Sequence, residues 1–187
     1  MEQKEPGVVT GLAWTAAGGE ILFVETSMSK GTGQVTITGQ LGDVMKESAE
    51  IALSLVKHLY PGEAQKLEKS DLHIHVPSGA VPKDGPSAGI TLTTALASLL
   101  TGKPVDPYLA MTGEISLTGR VMPIGGLPEK LMAAQRAGVK RVLIPKENVE
   151  DLEDVAEEVK SSLEIIPVQG AQEVLQYCLL TPEKKKA

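Results

Sequence analysis

The sequence predicts a single α+β domain, a mixed sheet with helices packed on it. Two patterns carry that expectation. Residues 8–38 contain strand-like runs separated by Gly-containing turns, which reads as an antiparallel opening. From residue 43 onward, segments with helical spacing take turns with short apolar runs, adding βαβ-like crossings. The 187 residues suffice for one substantial core, and neither a repeat nor a convincing boundary divides them, so residues 1–187 are expected to form one domain.

Within the opening, residues 8–14, 20–25 and 34–38 read as strands. Asp43 is a plausible N-cap, and Val44, Ser48, Ile51, Ala52, Leu55 and Leu59 then recur on one helical face until Pro61-Gly62 ends the run. Residues 72–76 alternate as a strand, and a loop over 79–85 feeds a second helix starting near Pro86. Ile90, Leu92, Ala95, Leu96, Leu99 and Leu100 make that helix apolar on more than one side, so its body belongs inside the domain.

After Leu109-Ala110-Met111, a further β segment through Val121 leads to Gly125-Gly126 and a third helix, with Pro128 suited to its first turn and Gly138 to its end. Arg141-Val142-Leu143-Ile144 returns to the sheet. Residues 147–158 are acidic and helix-prone, read as a solvated face; a strand over 163–168 and a helix over 171–180 follow, and 181–187 form a flexible tail.

Bulk properties narrow the function. A net charge of −6 and five scattered aromatics, Trp14, Phe23, Tyr60, Tyr108 and Tyr177, argue against a nucleic-acid surface. No stretch approaches the ~18 consecutive apolar residues that cross a bilayer. The lone Cys178 and the charged start, without a secretory leader, fit a reducing cytoplasmic setting.

The most informative stretch is Pro82-Lys83-Asp84-Gly85-Pro86-Ser87-Ala88-Gly89. A nucleophilic serine needs an accessible hydroxyl and nearby backbone N–H donors for an oxyanion, and a tight loop entering a helix N-terminus supplies both. The alternative is that Ser87 helps cap the helix. The loop is not a Gly-x-Ser-x-Gly elbow, and position 90 is Ile rather than the Lys of a Ser-x-x-Lys pair, so a base must come from elsewhere.

Histidine offers His58, on the first helix, and His73 and His75, which share one strand face and either line a site or support it. No third ligand is at hand for a zinc site. Lysine offers Lys130, in Gly125-Gly126-Leu127-Pro128-Glu129-Lys130, near the positive end of the third helix. Helix dipole and partial burial would both favour its neutral amine, although a helix lysine is ordinarily a solvated surface group.

Three blocks, residues 82–89, Met111-Thr112-Gly113-Glu114-Ile115-Ser116-Leu117-Thr118-Gly119 and Pro123-Ile124-Gly125-Gly126-Leu127-Pro128-Glu129-Lys130, resemble in order and spacing the signatures of Lon protease proteolytic domains. The resemblance extends from Thr10-Gly11-Leu12-Ala13-Trp14 to Val142-Leu143-Ile144-Pro145. It implies a serine endopeptidase that degrades unfolded or damaged proteins through an acyl-enzyme, with Ser87 as nucleophile and Lys130 as general base. It further implies that Thr112 helps hold the lysine, with Glu114, His73 and His75 nearby in supporting roles.

Lon proteases couple such a domain to an ATPase, yet no Gly-x-x-x-x-Gly-Lys-[Ser/Thr] loop occurs here. The resemblance therefore implies a protease domain of a larger parent, in which ATP and Mg bind elsewhere and the chains form a homo-oligomeric, hexameric ring. No cofactor or metal is expected in this domain itself. Two other readings are a non-enzymatic member of the same fold and a phosphate-binding domain using the Gly-rich helix starts.

Overall fold

The computed structural model describes residues 5–77 and 85–179. The expected loop over 79–85 therefore falls almost wholly outside the described residues, as does the expected tail over 181–187. The α+β expectation holds. A seven-stranded sheet runs in the order β3-β4-β2-β1-β5-β8-β9, where β1 is Val8–Thr15, β2 Gly18–Lys30, β3 Val35–Thr38, β4 Ser70–His75, β5 Leu109–Met111, β8 Arg141–Pro145 and β9 Glu164–Val168. A separate small hairpin pairs β6, Glu114–Ile115, with β7, Val121–Met122.

The sheet is mixed because its strands are joined by different connections. A tight turn joins the antiparallel pair β1/β2, and β2/β4 is antiparallel with β3 and a helical segment between the two strands in the chain, whereas β3/β4, β1/β5, β5/β8 and β8/β9 are parallel. β2 runs five residues past the expected Glu25 because β4 offers Thr26 to Lys30 a continuous ladder from Ile74 to Ser70.

Alternation along the strands splits the interior into two cores. On one face Val9, Leu22, Val24, Leu72 and Ile74 meet α1 (Asp43–Leu59), α3 (Gly89–Thr101) and α6 (Ala171–Cys178). On the other face Leu12, Ala110, Val142 and Ile144 meet Leu127, Leu131 and Ala134 of α4 (Leu127–Arg136) and Val159 of α5 (Glu157–Ser162).

α3 is enclosed nearly all round, as its sequence suggests. Two of its buried hydroxyls are satisfied within the helix: Thr93 and Thr94 donate to the carbonyls of Gly89 and Ile90 at 2.8 and 2.7 Å. No helix among the described residues is long and apolar enough to cross a membrane.

Several boundaries differ from the sequence reading for identifiable reasons. Gly42, not Asp43, is the N-cap of α1, and the Asp43 carboxylate instead sits in the first turn. Pro61 starts a short helix, α2 (Pro61–Ala64), which tightens into a 3₁₀ turn over Gln65–Lys69, because proline at the first helical position needs no N–H partner. α3 begins at Gly89 rather than near Pro86. The acidic stretch is a 3₁₀ winding over Lys146–Asp154 followed by α5, and one of its side chains, Asn148, is buried.

Leu96 lies at the centre of the enclosed helix and is 1% exposed. Leu96→Ala should lower the unfolding free energy by roughly 2–5 kcal/mol without changing the sheet topology, measured by denaturant titration followed by circular dichroism. A loss below half a kcal/mol would contradict the enclosure of α3.

Candidate functional site

Lys130 is the only Lys, Arg, His, Asp or Glu side chain among the described residues that is buried, at 2% exposure. Its place on α4 explains this. Gly126, at φ +71°, caps the helix, Pro128 fits the first turn, and the Lys130 N–H donates to the Gly126 carbonyl at 3.0 Å. Lys130 falls between Leu127 and Leu131 on the face turned to the sheet, so its aliphatic stem packs with them.

At the end of that stem, Nζ donates to Thr112 Oγ1 at 3.2 Å. Thr112 follows β5 and is itself wholly buried; two residues beyond Ala110, its side chain projects to the α4 side of the sheet. Burial lowers the amine from its ordinary 10.5 to about 8. The effect expected from the helix end is not needed to explain the shift.

Ser87 sits in the turn before α3, half-buried. The cap residue of the helix is Ala88, which has no capping group, so the helix start does not use Ser87 as its N-cap. The Ser87 carbonyl accepts from the Gly113 N–H at 2.9 Å, and the Gly113 carbonyl accepts from the Ile90 N–H at 3.0 Å. This strand-like exchange with residue 113 keeps the Ser87 carbonyl out of the helix and moves the first helical residue to Gly89. A methyl group at Gly89 would lie 2.7 Å from the Ile115 nitrogen, so only glycine permits this approach.

Ser87 and Lys130 thus converge on two consecutive residues. The lysine amine rests on Thr112, the serine backbone rests on Gly113, and Glu114 follows as the first residue of β6. Four of the six site residues singled out in the sequence, Ser87, Thr112, Glu114 and Lys130, therefore gather where the chain leaves β5.

His73 and His75 are placed differently. Opposite in phase to buried Leu72 and Ile74, they project from the same sheet face that α4 covers, but β2 and β1 intervene between β4 and β5, an offset of about 14 Å across the strands. Their Nε2 and Nδ1 atoms lie 2.8 and 2.7 Å from Thr38 Oγ1. One hydroxyl carries one proton, so at most one ring accepts from Thr38 and at least one donates to it. Both rings line an open cavity with Glu5, Val8, Glu25, Thr26 and Ser27. No group of three or more His, Cys, Asp or Glu among the described residues could hold a metal ion.

The sequence reading missed the residues that seat α4. A methyl group at Gly19 would lie 2.0 Å from the Glu129 carbonyl oxygen, so the start of β2 abuts the first turn of the helix backbone. The Trp14 ring covers Gly126, where a methyl would come within 2.9 Å of Cδ2. Asn148 holds Ile124 just upstream. None has a sequence signal: Gly19 looks like an ordinary turn residue, and Asn148 lies in an acidic run.

With this geometry in place, comparison with known proteins agrees across the whole chain. The family model for the Lon protease (S16) C-terminal proteolytic domain matches residues 1–181. Among curated relatives, the Lon protease of Clostridium beijerinckii is 64% identical over 178 residues, covering 95% of this chain and 22% of that protein. The Lon protease of Methanosarcina barkeri is 58% identical over 180 residues, with the same shares of 95% and 22%. That of Haemophilus influenzae is 56% identical over 187 residues, 96% of this chain and 23% of that protein. The chain thus spans under a quarter of the length of the relatives it matches.

The buried amine carries a stability signature. Its folded pKa of about 8 lies below the ordinary 10.5, so between these values the unfolded chain binds more protons and stability rises with pH. Below pH 8 the full penalty of burying the ammonium is present. Lys130→Met should therefore raise stability at pH 7 by roughly 1–3 kcal/mol and flatten its pH dependence between 8 and 10.5, read by urea unfolding at pH 7 and pH 10. A variant less stable than wild type at pH 7 would show that the site solvates the ammonium.

Proposed function

The chain belongs to the Lon protease (S16) C-terminal proteolytic domain family, and on that premise we propose that it is a serine endopeptidase with Ser87 as nucleophile and Lys130 as general base. The observation that carries the proposal is the amine of Lys130, buried, lowered to about 8, and seated on Thr112 beside the residue that holds Ser87. A solvated ammonium could not accept a proton at neutral pH. With a pKa near 8, about a tenth of Lys130 is neutral at pH 7.

The reaction follows from those roles. Neutral Lys130 takes the Ser87 hydroxyl proton as Oγ attacks the peptide carbonyl, and backbone N–H groups of the serine turn stabilise the tetrahedral oxyanion. The carbonyl re-forms, the C–N bond breaks, and the lysine proton passes to the departing amine, leaving an ester on Ser87. Water then attacks the ester with Lys130 again as base, releasing the acid and regenerating the hydroxyl. Thr112, as the acceptor for Nζ, keeps the amine directed while leaving its lone pair available.

We assign Glu114 a supporting role beside this reaction, and His73 and His75 one from across the sheet, with β2 and β1 in between. We place ATP and Mg binding in a separate module of the parent protein, since this sequence lacks a phosphate-binding Gly-Lys loop, and no step here runs through nucleotide. Such a parent would work as a homo-oligomeric, hexameric ring, with ATP-driven unfolding delivering polypeptide to the domain.

An acylating serine probe followed by mass spectrometry, paired with peptide hydrolysis, tests the assignment. Wild type should carry the adduct on Ser87, and Ser87→Ala and Lys130→Ala should each lose at least ~10²-fold in turnover. Lys130→Arg should not rescue, because guanidinium stays charged. Wild-type turnover should climb as pH rises through about 8, where Lys130 becomes neutral. Undiminished hydrolysis by Ser87→Ala would remove the nucleophile.

A further inference from the structure

We propose that Asn148 is a positioning residue for Lys130: its amide makes both strand-type hydrogen bonds to the backbone of Ile124 and fixes the origin of α4. The inference rests on the catalytic reading of Lys130 given above, but its structural part stands separately. Asn148 Oδ1 accepts from the Ile124 N–H at 2.9 Å, and Nδ2 donates to the Ile124 carbonyl at 2.8 Å. One side chain thereby does what a neighbouring strand would do for residue 124. Asn148 is 3% exposed, and the second proton of Nδ2 goes to Asp151 Oδ2 at 2.7 Å, so oxygen and nitrogen cannot exchange places without three unfavourable contacts.

The position of this clasp gives it leverage. Upstream of Ile124, the chain is tied down at β7, where Val121 N–H donates to the Gln169 carbonyl at 2.9 Å and Met122 pairs with Glu114. Downstream come Gly125 and Gly126, the most permissive backbone pair available, and then α4 with Lys130. Ile124 is the last fixed residue before those two glycines. Beside the clasp, Glu147 forms an exposed ion pair with Arg120, so consecutive residues of the Lys146–Asp154 winding hold two points of the strand that feeds the lysine helix.

The residue type is restrictive. Asparagine supplies an acceptor for Ile124 N–H and donors for Ile124 C=O and Asp151; aspartate has the same shape but offers only acceptors. Asn148→Asp sets a carboxylate against the carbonyl and against Asp151, so the clasp opens with minimal change in volume. Freed at Ile124, the Gly125-Gly126 hinge lets the first turn of α4 lift from the sheet and admits water to Nζ.

Titration of Lys130 by ¹³C NMR of labelled lysine Cε, assigned through Lys130→Met, reads this directly and independently of turnover. Folded Asn148→Asp should move the Lys130 midpoint upward by about one unit, because a better hydrated amine holds its proton more tightly. In peptide hydrolysis kcat should fall ~10-fold with KM little changed, and the basic rise of the pH profile should move with the NMR midpoint. Should Asn148→Asp fail to fold, Asp151→Ala, which removes only the outer tether of the amide, should give a smaller shift in the same direction. An unmoved Lys130 midpoint in whichever of these variants folds would overturn the inference. Absence of a Ser87 adduct in wild type would instead overturn the catalytic reading while leaving the NMR result to decide the clasp.

Discussion

The arrangement depends on keeping one amine dry. A lysine side chain is ordinarily solvated, and burying its ammonium costs several kcal/mol unless a counter-charge is supplied. Lys130 ends against the hydroxyl of Thr112, with Leu127 and Leu131 beside its stem, and no salt bridge to a carboxylate among the described residues. The neutral form becomes accessible near physiological pH as a direct consequence. A carboxylate within ion-pair reach would have stabilised the fold and disabled the proposed base, because it would hold the proton on nitrogen.

Dryness alone does not bring the serine turn to the same junction as the amine. That task falls to the exit of β5, where Thr112 and Gly113 face two partners in succession. Thr112 uses its side chain and Gly113 its backbone, so neighbouring residues along a single strand exit address α4 on one side and the turn before α3 on the other. Because β5 is central, flanked by β1 and β8, the junction is referenced to the rigid middle of the sheet rather than to a surface loop. Helix α3 adds to this rigidity: enclosed on nearly every side, it allows its N-terminal turn little freedom.

Much of this was legible in the sequence because it rests on local rules. Periodicity located α1 and α3, Pro128 and Gly138 marked the ends of the lysine helix, and the serine loop stood out through its glycines and prolines. What was not legible depended on contacts distant along the chain. The start of α3 moved to Gly89 because Gly113, 26 residues from Ser87, claims the serine carbonyl. Residues 147–158 read as a solvated face because acidic composition describes the average residue, whereas Asn148 is set apart by Ile124, which no window around it contains. His73 and His75 share a face, as alternation requires, but alternation says nothing about how many strands lie between that face and Thr112.

The seating of α4 shows why such distant contacts are needed. A helix carrying a buried lysine is under a standing outward force, since any displacement that wets the ammonium lowers its free energy. The apolar residues on the same helix face resist that displacement, but hydrophobic contact is non-directional and tolerates sliding. The additional constraints are steric or directional and act on backbone: Gly19 against the Glu129 carbonyl, Trp14 against Gly126, and Asn148 on Ile124. Each touches the chain within six residues of Lys130 and none touches its amine. The opposing force is electrostatic and constant below the lysine's pKa, so a site of this kind must be held from its backbone; a stabilising contact made to Nζ itself would also change the proton affinity that the proposed chemistry requires.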